Sequence, residues 1–243
     1  MPQINRSSLG GYLVHIYTAS SLIFITLGIQ WVLEGHFRLA LLAIAFTIII
    51  DATDGTLARR YRVKETAAGV DGALLDNIVD YLSYVVLPMV FMMQAEMFLT
   101  PVTMWVALVM FTSAFGFSKT TAKLANEGFF VGFPSYWNIM IFYLFLLNTP
   151  PILNTALAVF FSLLVFIPIR FLYVSRLPRG RWLHVVLGSI WGVFCLVALG
   201  LDAGAWRSAL LYLSLIYPIY YTLHSLQLNI RHQVERRSNL AKQ

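Results

Sequence analysis

Charge is scarce in this chain. Of its 243 residues only 12% are Asp, Glu, Lys or Arg, and only eleven are acidic. A soluble domain carries about 25% charged residues and about 45–50% apolar ones. Here 59% are hydrophobic and the mean hydropathy is +0.74, which excludes an ordinary soluble enzyme and places the chain in the membrane class. Cysteine is limited to Cys195, inside an apolar run, so a disulfide framework is excluded and that thiol reads as a small buried hydrophobe. Polar linkers, low-complexity tracts and internal repeats are also missing, and residues 1–243 read as one integral membrane domain. Met1 to Gly11 is polar, and the apolar stretch after it is too long for the core of a cleaved signal.

What the chain has in abundance is apolar runs. A spanning helix needs about 20 mostly apolar residues. Eight segments qualify in outline, at 11–33, 37–58, 72–95, 101–118, 134–149, 152–170, 182–201 and 206–226. The expected fold class is all-α, a polytopic membrane helical bundle of about eight spans. Pro101, Pro134, Pro150 and Pro151 punctuate the connections, and Pro88, Pro168 and Pro218 are expected to kink spans.

The net charge of +6 does not point to nucleic acid, because the basic residues sit in short loops between apolar runs. With the N-terminus inside and spans alternating, one side receives fifteen of the seventeen basic residues. They are Arg6; Arg59, Arg60, Arg62 and Lys64; Lys119 and Lys123; Arg170, Arg176, Arg179 and Arg181; and Arg231, Arg236, Arg237 and Lys242. Only Arg38 and Arg207 fall on the other side. This asymmetry predicts an N-in, C-in arrangement, with the end of span 2 and the start of span 3 at the cytoplasmic face.

Four of the eleven acids lie in those two spans. Asp51 and Asp54 follow the run LLAIAFTIII, and Asp76 and Asp80 sit in GALLDNIVDYLSYVV. Carboxylates within spanning helices are costly and default to a functional role. The i, i+3 and i, i+4 spacings put each pair on one helix face, and the short connection predicts that the two helices are antiparallel neighbours. Four ionised carboxylates that close require positive charge between them, and a hard divalent cation such as Mg2+ or Mn2+ suits oxygen ligands. Gly55 and Gly72 beside the acids admit either tight helix packing or close approach of a ligand.

Together these residues spell Asp51-x-x-Asp54-Gly55-x-x-Ala58-Arg59, twelve intervening residues, then Gly72-x-x-x-Asp76-x-x-x-Asp80. The pattern resembles the signature of the CDP-alcohol phosphotransferase family at all eight fixed positions. Most of that family has a shorter insertion before the second glycine. The longer one, with eight spans, is similar to bacterial members that join CDP-diacylglycerol to choline. Asp71 is out of register with Asp76 and Asp80 and reads as a helix-start residue.

The resemblance implies a helical bundle with a polar cavity open to the cytoplasm, in the bacterial inner membrane, and usually a homodimer. It implies that Asp51, Asp54 and Asp76 ligate Mn2+ or Mg2+ gripping the CDP diphosphate, with Asp80 near the metal as general base. Asp54, Gly55, Ala58, Arg59 and Gly72 would contact the CDP group. The implied partners are CDP-diacylglycerol, choline and membrane lipids.

A quaternary ammonium takes aromatic faces rather than hydrogen-bond donors. Tyr136 and Trp137 in the FFVGFPSYWN segment, with Tyr81 and Tyr84 on span 3, are candidates for choline contact, with interfacial anchoring as the ordinary alternative. Lys119, Lys123, Arg170 and Arg176 are candidates for lipid phosphate, or simply set topology. His15, Tyr17 and Thr18 on span 1 read as nucleotide contacts or, more ordinarily, helix contacts. Two other functions stay open: the same reaction with serine or a phosphorylated polyol as acceptor, and a cation transporter with the four acids as its pathway.

Overall fold

The computed structural model of the protein describes residues 6–119, 123–124, 129–174, 177 and 180–240. Its first two helices are long and uninterrupted. α1 (Arg6–Leu33) ends at Gly35, which takes a φ of +77° that a side chain would oppose, and the chain reverses into α2 (Phe37–Arg60). Arg59 and Arg60 fill the last turn of α2, where cations complement the helix dipole. A single turn, α3 (Val63–Thr66), leads to α4 (Gly72–Tyr81). Asp71 caps α4, its carboxylate accepting from the amides of Ala73 and Leu74 at 3.0 Å each.

After Tyr81 the helix passes through one π-helical turn, Leu82–Val86, before continuing as α5 (Leu87–Gln94). The extra residue in that turn changes the helix register directly after Asp80. α6 (Val102–Ser118), α7 (Trp137–Leu146) and α8 (Pro151–Leu164) follow, then α9 (Arg181–Gly200) and α10 (Ala205–Ser214), which breaks at Leu215 into α11 (Ile216–Leu240).

Four helical stretches are long and apolar enough to cross a membrane: Ser8–Leu33, Phe37–Arg60, Gly72–Gln94 and Arg181–Gly200. α6, α7 and α8 are apolar but shorter, at 17, 10 and 14 residues. At 1.5 Å per residue the ten residues of α7 cover about 15 Å, half the hydrocarbon thickness. Large apolar side chains face outward all along the bundle, Ile16 and Trp182 among them, as a lipid-facing surface requires.

Two sequence expectations change here. The chain is not purely helical: β1 (Lys123–Leu124), β2 (Phe129–Val131) and β3 (Arg170–Leu172) form a small antiparallel sheet in that order, with Phe130 opposite Phe171. Apolar residues flanking the short helices α7 and α8 satisfy their backbone groups across chain segments instead of by extending a helix. Gly132 makes the junction possible. It has φ +89°, and a Cβ there would lie 2.5 Å from the Val165 carbonyl oxygen. Pro168 accordingly lies in the connection after α8, not within a span, so it kinks no helix. Pro88 instead sits at the start of α5 after the π turn, and Pro218 in the first turn of α11.

The second change concerns neighbours. α2 and α4 make little backbone contact with each other; α1 packs on α2, α3, α4 and α5 and joins them. The core lies where α5, α7, the first half of α2 and the middle of α6 meet, built on Phe91, Trp137, Ile141, Leu87 and Met89.

Candidate active site

The aspartates converge, but not as one set of four. A carboxylate oxygen from each of Asp51, Asp76 and Asp80 falls in a group whose members all lie within 4.8 Å of one another, each residue being half-buried. Asp54 turns elsewhere. Residues three apart on an α-helix sit roughly 60° apart around its axis, so the α2 pair can address two neighbours. Asp54 is buried against α1 and accepts a hydrogen bond from the Thr18 hydroxyl at 2.8 Å. Asp51 faces the π turn and accepts from the phenol of Tyr84 at 2.5 Å. Asp76 and Asp80 come from consecutive turns of α4, whose i, i+4 spacing puts both on the side facing Asp51.

Three carboxylate oxygens this close, in a chain this poor in charge, are a donor set of the kind that suits Mg2+ or Mn2+: hard, anionic and half-open. The side chains around them are ordered by secondary contacts. Tyr17 and Thr53 hydroxyls meet at 2.7 Å, tying α1 to α2 beside Asp54. Ser83 Oγ donates to the carbonyl of Asp80 at 3.3 Å within the π turn.

The motif glycines differ from one another. A Cβ on Gly55 would meet only the far end of Arg59, at 3.5 Å, so the space beside it is open to an approaching ligand. A Cβ on Gly72 would lie 2.7 Å from His15 Cε1, so Gly72 admits the imidazole of α1. His15 is buried, and its Nε2 has no hydrogen-bond partner. Ala58 packs with Val14, Val63 and Ala67 in a small cluster under the α2–α3 turn, and the Arg59 guanidinium donates to Thr56 Oγ1 at 2.9 Å.

The four aromatic candidates separate. Tyr84 and Tyr136 stand together, ring centroids 6.2 Å apart, with Tyr84 bonded directly to Asp51. Tyr81 points to α6, donating to the Met110 carbonyl at 3.0 Å and packing edge-on against Phe117. Trp137 is enclosed in the core, 1% exposed, its Nε1 donating to Ser113 Oγ at 2.9 Å between Phe133 and Phe161. Beside Tyr136 stands Tyr221 from α11. Its ring centroid lies 6.3 Å from that of Tyr136, the two hydroxyls are 3.3 Å apart, and Tyr221 donates to the Leu172 carbonyl at 2.7 Å. The sequence offered no signal for Tyr221, since it lies 141 residues beyond Asp80 in a segment rich in tyrosine.

The basic candidates are occupied in structural contacts. Lys119 donates to the Val165 carbonyl at 2.8 Å and stands over the Phe166 ring, and the Arg170 guanidinium stands over the Phe129 ring. Arg176 and the side chain of Lys123 lie outside the described residues.

The sequence that builds this site has relatives among known proteins. The chain is 39% identical to a phosphatidylcholine synthase of Legionella pneumophila over 200 residues, 76% of each chain. It is 42% identical over 146 residues to one from Legionella bozemanae, covering 59% of this chain and 67% of the other. With a phosphatidylcholine synthase of Borreliella burgdorferi it shares 33% identity over 230 residues, 93% of this chain and 97% of that one. The model of the CDP-alcohol phosphatidyltransferase family matches residues 13–169, which take in most of α1, every motif aspartate and the strand-flanked aromatic segment. On the motif and on that match, the chain belongs to the CDP-alcohol phosphatidyltransferase family.

Proposed function

We propose that this protein makes phosphatidylcholine and CMP from CDP-diacylglycerol and choline. The observation that carries the reading is the meeting of Asp51, Asp76 and Asp80 oxygens within 4.8 Å, at the positions of the CDP-alcohol motif. The names of the relatives at 31–42% identity support choline as acceptor. So does the aromatic group beside Asp51: Tyr84, Tyr136 and Tyr221 offer π faces to a quaternary ammonium. A phosphorylated acceptor would instead want free basic groups there, and Lys119 donates to a carbonyl elsewhere.

Asp51, Asp76 and Asp80 would hold a divalent cation, with Asp54 beside them on α2. A divalent cation held by these carboxylates would supply neutralisation of charge on the diphosphate oxygens. The protein's own groups do the rest. Gly55 leaves room for the CDP group next to Arg59. The tyrosines seat the trimethylammonium so that the choline hydroxyl points at the aspartates. Asp80 takes the hydroxyl proton as the choline oxygen attacks the phosphorus bearing diacylglycerol. A P–O bond forms to choline, the P–O bond to the CMP phosphate breaks, and the electron pair leaves on CMP. α1 closes the far side of Asp54 through Thr18 and keeps that carboxylate oriented.

The arrangement is read as eight spans, N-in and C-in, in the bacterial inner membrane with the aspartates toward the cytoplasm. α6, α7 and α8 would cross with help from the neighbouring sheet. A homodimer is the expected assembly.

The deciding experiment measures CMP release from CDP-diacylglycerol with purified protein, Mn2+ or Mg2+ and a panel of labelled alcohols. Release that requires both choline and metal is expected. Asp80→Asn should abolish it while retaining CDP-lipid binding, and Asp51→Asn should weaken that binding as well. Equal turnover by Asp80→Asn and wild type would remove the base assignment.

A further inference from the structure

A cleft lies at the opposite end of α2 from the aspartates. Arg38 and Asp54 are sixteen residues apart on one helix, roughly 24 Å along its axis. The cleft has a volume of about 640 Å³, and His36, Phe37, Arg38, Phe145, Leu146 and Arg207 are among its lining residues. It forms where the start of α2, the end of α7 and the start of α10 come together.

Its two arginines are the two exceptions to the charge asymmetry of the sequence, and the fold brings both to one cleft. Their present contacts leave donors over. Arg207 Nη2 donates to the Leu146 carbonyl at a long 3.3 Å, while its Nε is buried without a hydrogen-bond partner. A buried guanidinium N–H with nothing to bond calls for an acceptor. Arg38 pairs with Asp202 at 3.3 Å, but Asp202 is fully exposed and such a surface pair contributes little. A phosphate could take over both guanidinium groups, which match its oxygens in geometry and charge.

The apolar lining decides the kind of phosphate. Phe37, Phe145 and Leu146 form the wall next to the arginines. From there Leu39, Leu42, Phe46 and Ile49 run down α2 at spacings of three and four, all outward-facing, as one continuous lipid-exposed stripe. A phosphodiester seated at Arg38 and Arg207 would lay an acyl chain along that stripe. We infer that this cleft binds the headgroup of an anionic phospholipid, as a site separate from the one that turns over CDP-diacylglycerol. Basic pockets between membrane helices hold anionic headgroups by the same chemistry.

The test uses the purified protein in neutral detergent micelles, with phosphatidylglycerol, phosphatidylcholine and inorganic phosphate as separate probes, bound lipid being counted by native mass spectrometry. Phosphatidylglycerol should bind at least ten-fold more tightly than phosphatidylcholine, and Arg38→Gln with Arg207→Gln should weaken it at least ten-fold. A photoreactive phosphatidylglycerol should label residues 35–39, 145–148 or 203–207 of the wild type. That arm, with the single exposed change Arg38→Gln, carries the test if the double variant does not fold. Undiminished lipid retention by a folded variant, labelling confined to other segments, or displacement by millimolar inorganic phosphate without any preference for phosphatidylglycerol would each overturn the inference. Choline-dependent CMP release, run on the same samples, should not change, which separates failure here from failure of the reading at the aspartates.

Discussion

Tyr84→Phe removes one oxygen and leaves the aromatic ring. In the native protein that oxygen donates to Asp51 Oδ2 at 2.5 Å, a charge-assisted bond of the strong kind. Its loss removes about 1.5–3 kcal/mol of interaction with an ionised partner, equivalent to about 10- to 150-fold in a binding constant. Asp51 is one of three carboxylates meeting within 4.8 Å, so what the phenol fixes is the orientation of a ligand to the expected cation. Losing such an outer partner typically costs 10–100-fold in metal affinity or activity. The contact between the rings of Tyr84 and Tyr136 is not touched, so seating of choline should survive. The assay is a Mn2+ titration of labelled choline incorporation at fixed CDP-diacylglycerol. The half-saturating Mn2+ concentration should rise about ten-fold or more, with turnover largely restored at saturating metal and the choline KM within about two-fold of wild type. An unchanged Mn2+ requirement would refute the claim that Tyr84 acts through Asp51. A raised choline KM at saturating metal would assign the hydroxyl to the acceptor instead.

Two further expectations follow from contacts away from the carboxylates. Tyr221→Leu removes a π face but not the hydrocarbon bulk, and it should raise the choline KM about ten-fold while leaving the CDP-diacylglycerol KM unchanged; a normal choline KM would take Tyr221 out of the acceptor site. Gly72→Ala pushes a methyl group to 2.7 Å from the His15 ring and should destabilise the fold by about 1–3 kcal/mol, read as a lower melting temperature in detergent. His15→Ala should rescue that loss in the double variant, and melting temperatures that simply add would place the conflict somewhere other than the α1–α4 contact.

Much of the site could be read along the chain because helical geometry is local. Asp76 and Asp80 share a face by residue spacing alone, because the pitch of a helix is the same wherever that helix ends up, whereas Asp51 and Asp54, about 60° apart around α2, address different neighbours. Asp71 as a cap, and the bounds of α2, α6 and α9 close to the expected ones, follow from equally local rules. The scarcity of charge likewise made four acids in apolar runs conspicuous.

The tertiary structure decided everything that depends on which remote segments meet. It put α1 against both α2 and α4, so Asp54 answers to Thr18 while Asp51 answers to Tyr84. It buried Trp137 in the core and brought Tyr221 beside Tyr136. It also gathered Arg38 and Arg207, 169 residues apart, into one cleft. Spacing within a helix is set by its own backbone hydrogen bonds, whereas the choice of neighbour is set by shape and burial summed over the whole bundle.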